Sequence, residues 1–139
     1  MESPEETKRR IIKAAEARFS QYSFGKTTMA EIAKDCKMSA ANLYRFFPSK
    51  EDIAVEIGNR CMASKEQIMR SVAERPGLSA GERLEAVVVE NLRFTYDFLS
   101  KQRHLSDIVE TICGSRGEVM KDYKKTQRDF FAGILEEGV

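Results

Sequence analysis

The chain lacks tryptophan, has one histidine, and holds only three prolines and three cysteines in 139 residues. Each shortage excludes something. The lone histidine, His104, leaves no His/Cys cluster, and Cys36, Cys61 and Cys113 stand far apart without a CxxC pair. Neither a zinc site nor a disulfide framework is expected, and reduced, packed thiols suit the cytoplasm. No stretch approaches the roughly 18 apolar residues of a membrane span. The opening residues, MESPEETKRR, lack the apolar core of a signal peptide. A glycine-rich phosphate loop, a carboxylate pair and a nucleophile spaced beside His104 are missing too. Neither an enzyme nor a bound cofactor is therefore expected.

What is present is charge asymmetry and helical spacing. The totals nearly cancel, 23 Lys+Arg against 22 Asp+Glu. Residues 1–50, however, carry 10 basic and 6 acidic side chains, a net of +4, while residues 51–139 carry 13 and 16, a net of −3. An anion-facing N-terminal part is the simplest reading. Pro4, with Glu5 and Glu6 in the same first turn, opens an amphipathic helix over 4–22 marked by Ile11, Ile12, Ala15, Phe19 and Tyr22. Thr28-Met29-Ala30-Glu31 has the form of a capping box and starts a short helix ending near Asp35. Ser39 caps a second short helix holding Leu43, Tyr44 and Phe47, which Pro48 stops. Longer helices follow over about 49–74, 79–101, 105–113 and 117–136. The 79–101 helix is apolar on more than one face, which predicts burial between neighbours. No alternating pattern argues for a strand. The expected fold is all-α, with a three-helix head over 1–50 and a helical regulatory domain over 51–139.

Two short helices joined by a tight connection are the layout of a helix-turn-helix. In it, one helix holds another in the DNA major groove, which is about 12 Å wide. The second short helix offers Ala40, Ala41, Asn42, Tyr44 and Arg45. Two small residues permit close approach, while Asn and Arg suit bidentate reading of adenine and guanine. Lys50, near the start of the next helix, combines a cation with unsatisfied backbone N–H groups and suits a phosphate. A plain interaction bundle can contain the same two short helices, so this pattern alone leaves both readings open.

The residues narrow the choice. Thr27-Thr28-Met29-Ala30-Glu31-Ile32-Ala33, followed by Met38-Ser39-Ala40-Ala41-Asn42-Leu43-Tyr44-Arg45-Phe46-Phe47-Pro48-Ser49-Lys50-Glu51-Asp52-Ile53, closely resembles the signature of the TetR family of bacterial transcriptional regulators. The resemblance covers residues 5–58. It implies that Thr28 caps the positioning helix and touches phosphate, that Tyr44 and Lys50 bind phosphates, and that Ala40, Ala41, Asn42 and Arg45 face base edges. Phe19, Ile32, Leu43 and Phe47 would form the small core. Lys26, Lys37 and Ser39 complete the DNA-facing set. Two departures stand out: Ser23 where the family often has glycine, with Gly25 two residues later, and Lys37 where the family places glycine in the turn. A side chain at positive φ costs about 1 kcal/mol, which a phosphate contact by Lys37 would offset.

Beyond the head, a pocket for an unknown small-molecule effector is expected among the four later helices. Met69, Val88, Phe94 and Phe98 would line it, Asn91 or Tyr96 would supply polarity, and His104 is a further candidate. Lys121, Lys124, Lys125 and Arg128 read as a solvated basic face. Regulators of this kind continue with two more helices that pair across a dimer. A chain ending at Val139 is therefore expected to be a fragment of a regulator that is a homodimer at full length, or a protein with a disordered tail. It is expected to be mostly monomeric, or to associate through apolar surface on helices 79–101 and 117–136, with symmetric pairing of those two helices as the alternative. The function expected is a ligand-responsive repressor acting on double-stranded operator DNA, with no membrane partner. The alternative is a helical protein-interaction module with a degenerate DNA-binding head.

Overall fold

The computed structural model describes residues 1–101, 104–115 and 117–138, and these form helices with no strand among them. In chain order they are α1 (Pro4–Tyr22), α2 (Met29–Asp35), α3 (Ala40–Phe46), α4 (Lys50–Ala73), α5 (Ala80–Lys101), α6 (Leu105–Ser115) and α7 (Gly117–Glu137). Sequence spacing anticipates every one of them. α2 begins one residue late because Thr28 is a cap outside the helix proper, Ser39 caps α3 as expected, and Phe47 is the C-cap of α3 and not part of it. α6 runs two residues past its expected end at 113; Arg116 and Val139 lie outside the described residues.

Met1–Gly58 and α6 make one compact unit. Side-chain caps fix where its helices start. The Ser3 hydroxyl accepts from the Glu6 N–H while the Glu6 carboxylate accepts from the Ser3 N–H at 2.7 Å. Thr28 and Glu31 repeat this reciprocal bonding at α2. Ile11, Ala15 and Phe19 of α1, Ile32 of α2, Leu43 of α3, and Ile53 and Ala54 of α4 are wholly shielded from solvent. Phe47 joins them, and Phe24 meets Phe19 edge to face at 5.1 Å. The sequence-predicted core residues are thus all in place. Ile108 and Ile112 of α6 also pack into this core, a long-range contribution that local spacing does not reveal.

Residues 59–101 and α7 make the second unit. Its buried core is small: Met69, Val72, Val87 and Ile134, with Leu84, Phe130 and Phe131 half-buried against it. Here the structure corrects one expectation. The helix over 79–101 is not buried on several faces, since Val88, Val89, Leu92 and Leu99 are exposed. The 3.6-residue period turns Leu84, Val87, Asn91, Phe94 and Phe98 to one side and leaves the remaining apolar residues outside it. On α4, Met69 is buried and Ile68 is exposed.

Candidate nucleic-acid interface

The connection between α2 and α3 is a Schellman motif. The Lys37 N–H donates to the Lys34 carbonyl and the Met38 N–H to the Ala33 carbonyl, both at 3.0 Å. This geometry needs a left-handed residue at the first position past the helix cap, and Lys37 occupies it with φ 57°. Met38 then packs against the head core. The departure from glycine noted in the sequence is therefore a real conformational burden, and the turn keeps its shape regardless.

Several head cations hold this geometry. Arg18 grips Asp35 with two bonds, 2.6 and 2.9 Å, tying α1 to the end of α2. That contact holds the Asp35 carboxyl below its usual range and the guanidinium above its own. Arg10 donates to the Cys36 carbonyl at 2.6 Å, satisfying an open carbonyl where α2 ends. Lys50 points its ammonium into the loop before α2, donating to the carbonyls of Phe24 (2.9 Å) and Thr27 (3.1 Å) and lying 4.5 Å from the Phe24 ring centroid. In this pose Lys50 is a clamp on the loop that carries Lys26 and Thr28. Sequence reasoning missed this, because the contact spans more than twenty positions.

Other cations remain outside. Lys26, Lys37 and Arg45 are exposed, as are Ala41 and Tyr44. Positions 41, 44 and 45 share one face of α3, being three and four residues apart. Asn42 is half-buried and donates its N–H to the capping Ser39 hydroxyl at 3.1 Å. Ala40 packs partly against the core. The Thr28 hydroxyl is engaged with Glu31, accepting from its N–H and donating to its carboxylate.

The expected effector residues separate. Met69 is buried, Asn91 keeps its side-chain oxygen shielded from solvent, and Phe94 stacks on Phe98 with centroids 6.5 Å apart. Val88 and Tyr96 are exposed, on the outer side of α5, because neither falls in the Val87–Asn91–Phe94 register. His104 sits in the turn before α6, within the first unit. Two residues absent from the expected set stand near Asn91: Lys65, bonded to the Thr95 hydroxyl at 3.2 Å, and Tyr123, whose ring centroid is 5.9 Å from the Lys65 ammonium. Burial pushes the lysine below its ordinary value and the phenol above its own. The clue was available, since Lys65 follows Cys61 by four and precedes Met69 by four on an apolar stripe.

Comparison with known proteins places this head. Residues 11–57 match the model for bacterial regulatory proteins of the tetR family. An uncharacterized HTH-type transcriptional regulator of Bacillus subtilis, YuxN, is 30% identical over 100 residues, which are 70% of this chain and 34% of that protein. The chain thus spans about a third of that curated relative. Among solved structures, the fatty acid degradation regulator FadR of Bacillus halodurans superposes with TM-score 0.70 at 19% identity, covering 99% of this chain and 70% of that one. Thermus thermophilus FadR, a repressor solved with lauroyl-CoA, gives TM-score 0.64 at 21% identity, covering 93% and 66% respectively. At these identities the likeness speaks for the fold. With its signature residues folded into a capped helix-turn-helix, residues 11–57 match the N-terminal domain of the TetR family of bacterial regulatory proteins.

Proposed function

We propose that the protein is a ligand-responsive transcriptional regulator, a repressor in the cytoplasm, whose residues 1–50 read operator DNA and whose residues 51–139 belong to the sensing body. One observation carries this reading: a Schellman turn presents Ala41, Tyr44 and Arg45 on a single exposed face of α3, within a head in which Arg10, Arg18 and Lys50 are engaged in holding that face still. Ala41 permits close approach to the groove, and Arg45 and Asn42 address base edges. Tyr44, Lys26, Lys37 and the backbone at Ser39 and Ala40 meet the phosphates and sugars that set register. Lys50 and Thr28 act one step behind, fixing the loop and the start of α2. In a homodimer, two such heads about 34–36 Å apart meet successive major grooves, and an effector that binds one head spacing better than another changes DNA affinity.

Selection from random duplexes, followed by anisotropy titrations at two salt concentrations, tests this reading. Arg45→Ala is expected to cost roughly 1–3 kcal/mol and to relax preference at one or two base pairs. Lys26→Ala is expected to weaken all sequences alike and to lower the salt slope by about one. An Arg45→Ala head with unchanged affinity and unchanged preferred sequence would remove α3 as the reader. It would also restore the interaction-module reading.

A further inference from the structure

The interior of the second unit carries polar groups that its fold does not require. Asn91, Phe94, Thr95 and Phe98 follow an i, i+3, i+4, i+7 register on α5. Lys65 of α4 donates to the Thr95 hydroxyl at 3.2 Å, and Thr95 donates in turn to the Asn91 backbone carbonyl at 2.8 Å. Tyr123 of α7 screens the same ammonium from one side, its ring centroid 5.9 Å away. No carboxylate neutralises Lys65 among the described residues; its protein partners are a hydroxyl, an aromatic ring and the neighbouring Cys61. The Asn91 side-chain oxygen is shielded from solvent and has no hydrogen-bond partner. An uncompensated cation and an orphan amide oxygen each cost free energy that leucine or methionine at the same positions would avoid.

We propose that Lys65 and Asn91 seat the polar end of a small amphipathic organic acid. Its carboxylate pairs with Lys65, a hydroxyl or N–H on the adjacent carbon donates to the Asn91 side-chain oxygen, and its apolar body lies along Phe94 and Phe98. Charge decides the class. One uncompensated ammonium matches a single carboxylate, whereas a phosphate dianion would leave a second buried charge unpaired, and a neutral ligand would leave the lysine as it stands. This inference names the effector chemistry for the ligand-responsive reading above and rests on it.

Four probes of similar size separate the contributions in calorimetric titrations of the whole chain: 2-phenylethanol, phenylacetate and the two enantiomers of mandelate. Phenylacetate is expected to bind at least about tenfold tighter than the alcohol, and one mandelate enantiomer tighter again. Lys65→Met keeps the aliphatic stem, removes the charge, and should melt no lower than the parent. It is expected to reduce the acids to the affinity of the alcohol. Asn91→Leu is expected to erase only the advantage of mandelate over phenylacetate. Equal binding of acid and alcohol, no binding of any probe, or acid binding untouched by Lys65→Met would each overturn the proposal. A chain that still binds DNA but not the acids sinks this inference alone, and one that binds the acids without DNA sinks the regulator reading alone.

Discussion

The two units are made of the same material, amphipathic helices started by side-chain caps, yet they are packed to different ends. Among the described residues, the unit of Met1–Gly58 and α6 shields sixteen hydrophobic side chains around one centre and places its buried polar contacts where backbone groups need partners. Among the described residues, the second unit shields four, leaves several large apolar side chains half-exposed, and keeps a lysine without a paired carboxylate and an amide oxygen without a hydrogen bond. A reading surface must present the same atoms in the same places every time, so its support is dense. A sensing interior must have something left for a ligand to satisfy. The difference in packing fits the two tasks proposed for them.

The sharpest way to break this contrast is to cut equal pieces from both centres. Leu43→Ala in the head should cost roughly 4 kcal/mol and Met69→Ala in the second unit roughly 2 kcal/mol, because a dense core relaxes least around a cavity. Amide hydrogen exchange, read unit by unit, separates the two losses. Equal costs would mean that the second interior is packed as tightly as the first.

The same contrast explains what the sequence revealed. Every helix was legible because apolar residues recur with the helical period, and Pro4, Thr28 and Ser39 mark the first three starts. The exposed face of α3 with Ala41, Tyr44 and Arg45 was legible for the same reason. What stayed hidden is long-range. Lys50 looks like a phosphate ligand until the loop carbonyls of Phe24 and Thr27 are found beneath it. Ile108 and Ile112 belong to the head only after the chain has folded back. Val88 and Tyr96 look like pocket lining until the register of α5 is fixed by its neighbours.

A second comparison uses acid. Burial has little part in Glu6, Glu31 and Glu82; each is held below its ordinary value of 4.5 first by the N–H of its capping residue. Asp35 is held below 3.8 by Arg18. Groups with depressed values contribute stability that is present above the ordinary value and lost as pH falls through the depressed one. Three of these four carboxylates belong to the head and one, Glu82, to the second unit, so head protection should decline more steeply below about pH 4.5. Glu31→Gln flattens that decline, and Thr28→Ala costs roughly 1–2 kcal/mol of head stability near neutral pH. Parallel acid profiles for the two units would show that the caps do not distinguish them.

The smallest expected effect concerns backbone strain, and it runs opposite to the packing contrast. The second unit makes its positive-φ turn with a glycine, Gly77 at φ 79°, whereas the densely packed head makes its own with Ser23 at φ 81° and Lys37 at φ 57°. Side chains at such angles crowd the following carbonyl, and glycine does not. Ser23→Gly should stabilise the head by about 1 kcal/mol and Lys37→Gly by roughly 0.5–1 kcal/mol, part of each gain returning as entropy of a looser unfolded chain. Strain that persists in a region packed for precision is expected where the side chain does something else. Lys37 is exposed beside the reading helix, and Ser23 is half-buried behind it. The two variants should therefore part company on DNA. Ser23→Gly is expected to gain stability with affinity unchanged, while Lys37→Gly gains stability and loses about one phosphate's share of the salt slope. Thermal melts paired with salt-dependent anisotropy measure both quantities on the same samples. If Lys37→Gly leaves the slope untouched, the left-handed lysine is strain without a purpose in DNA binding, and the turn tolerates it only because the core beneath is strong enough.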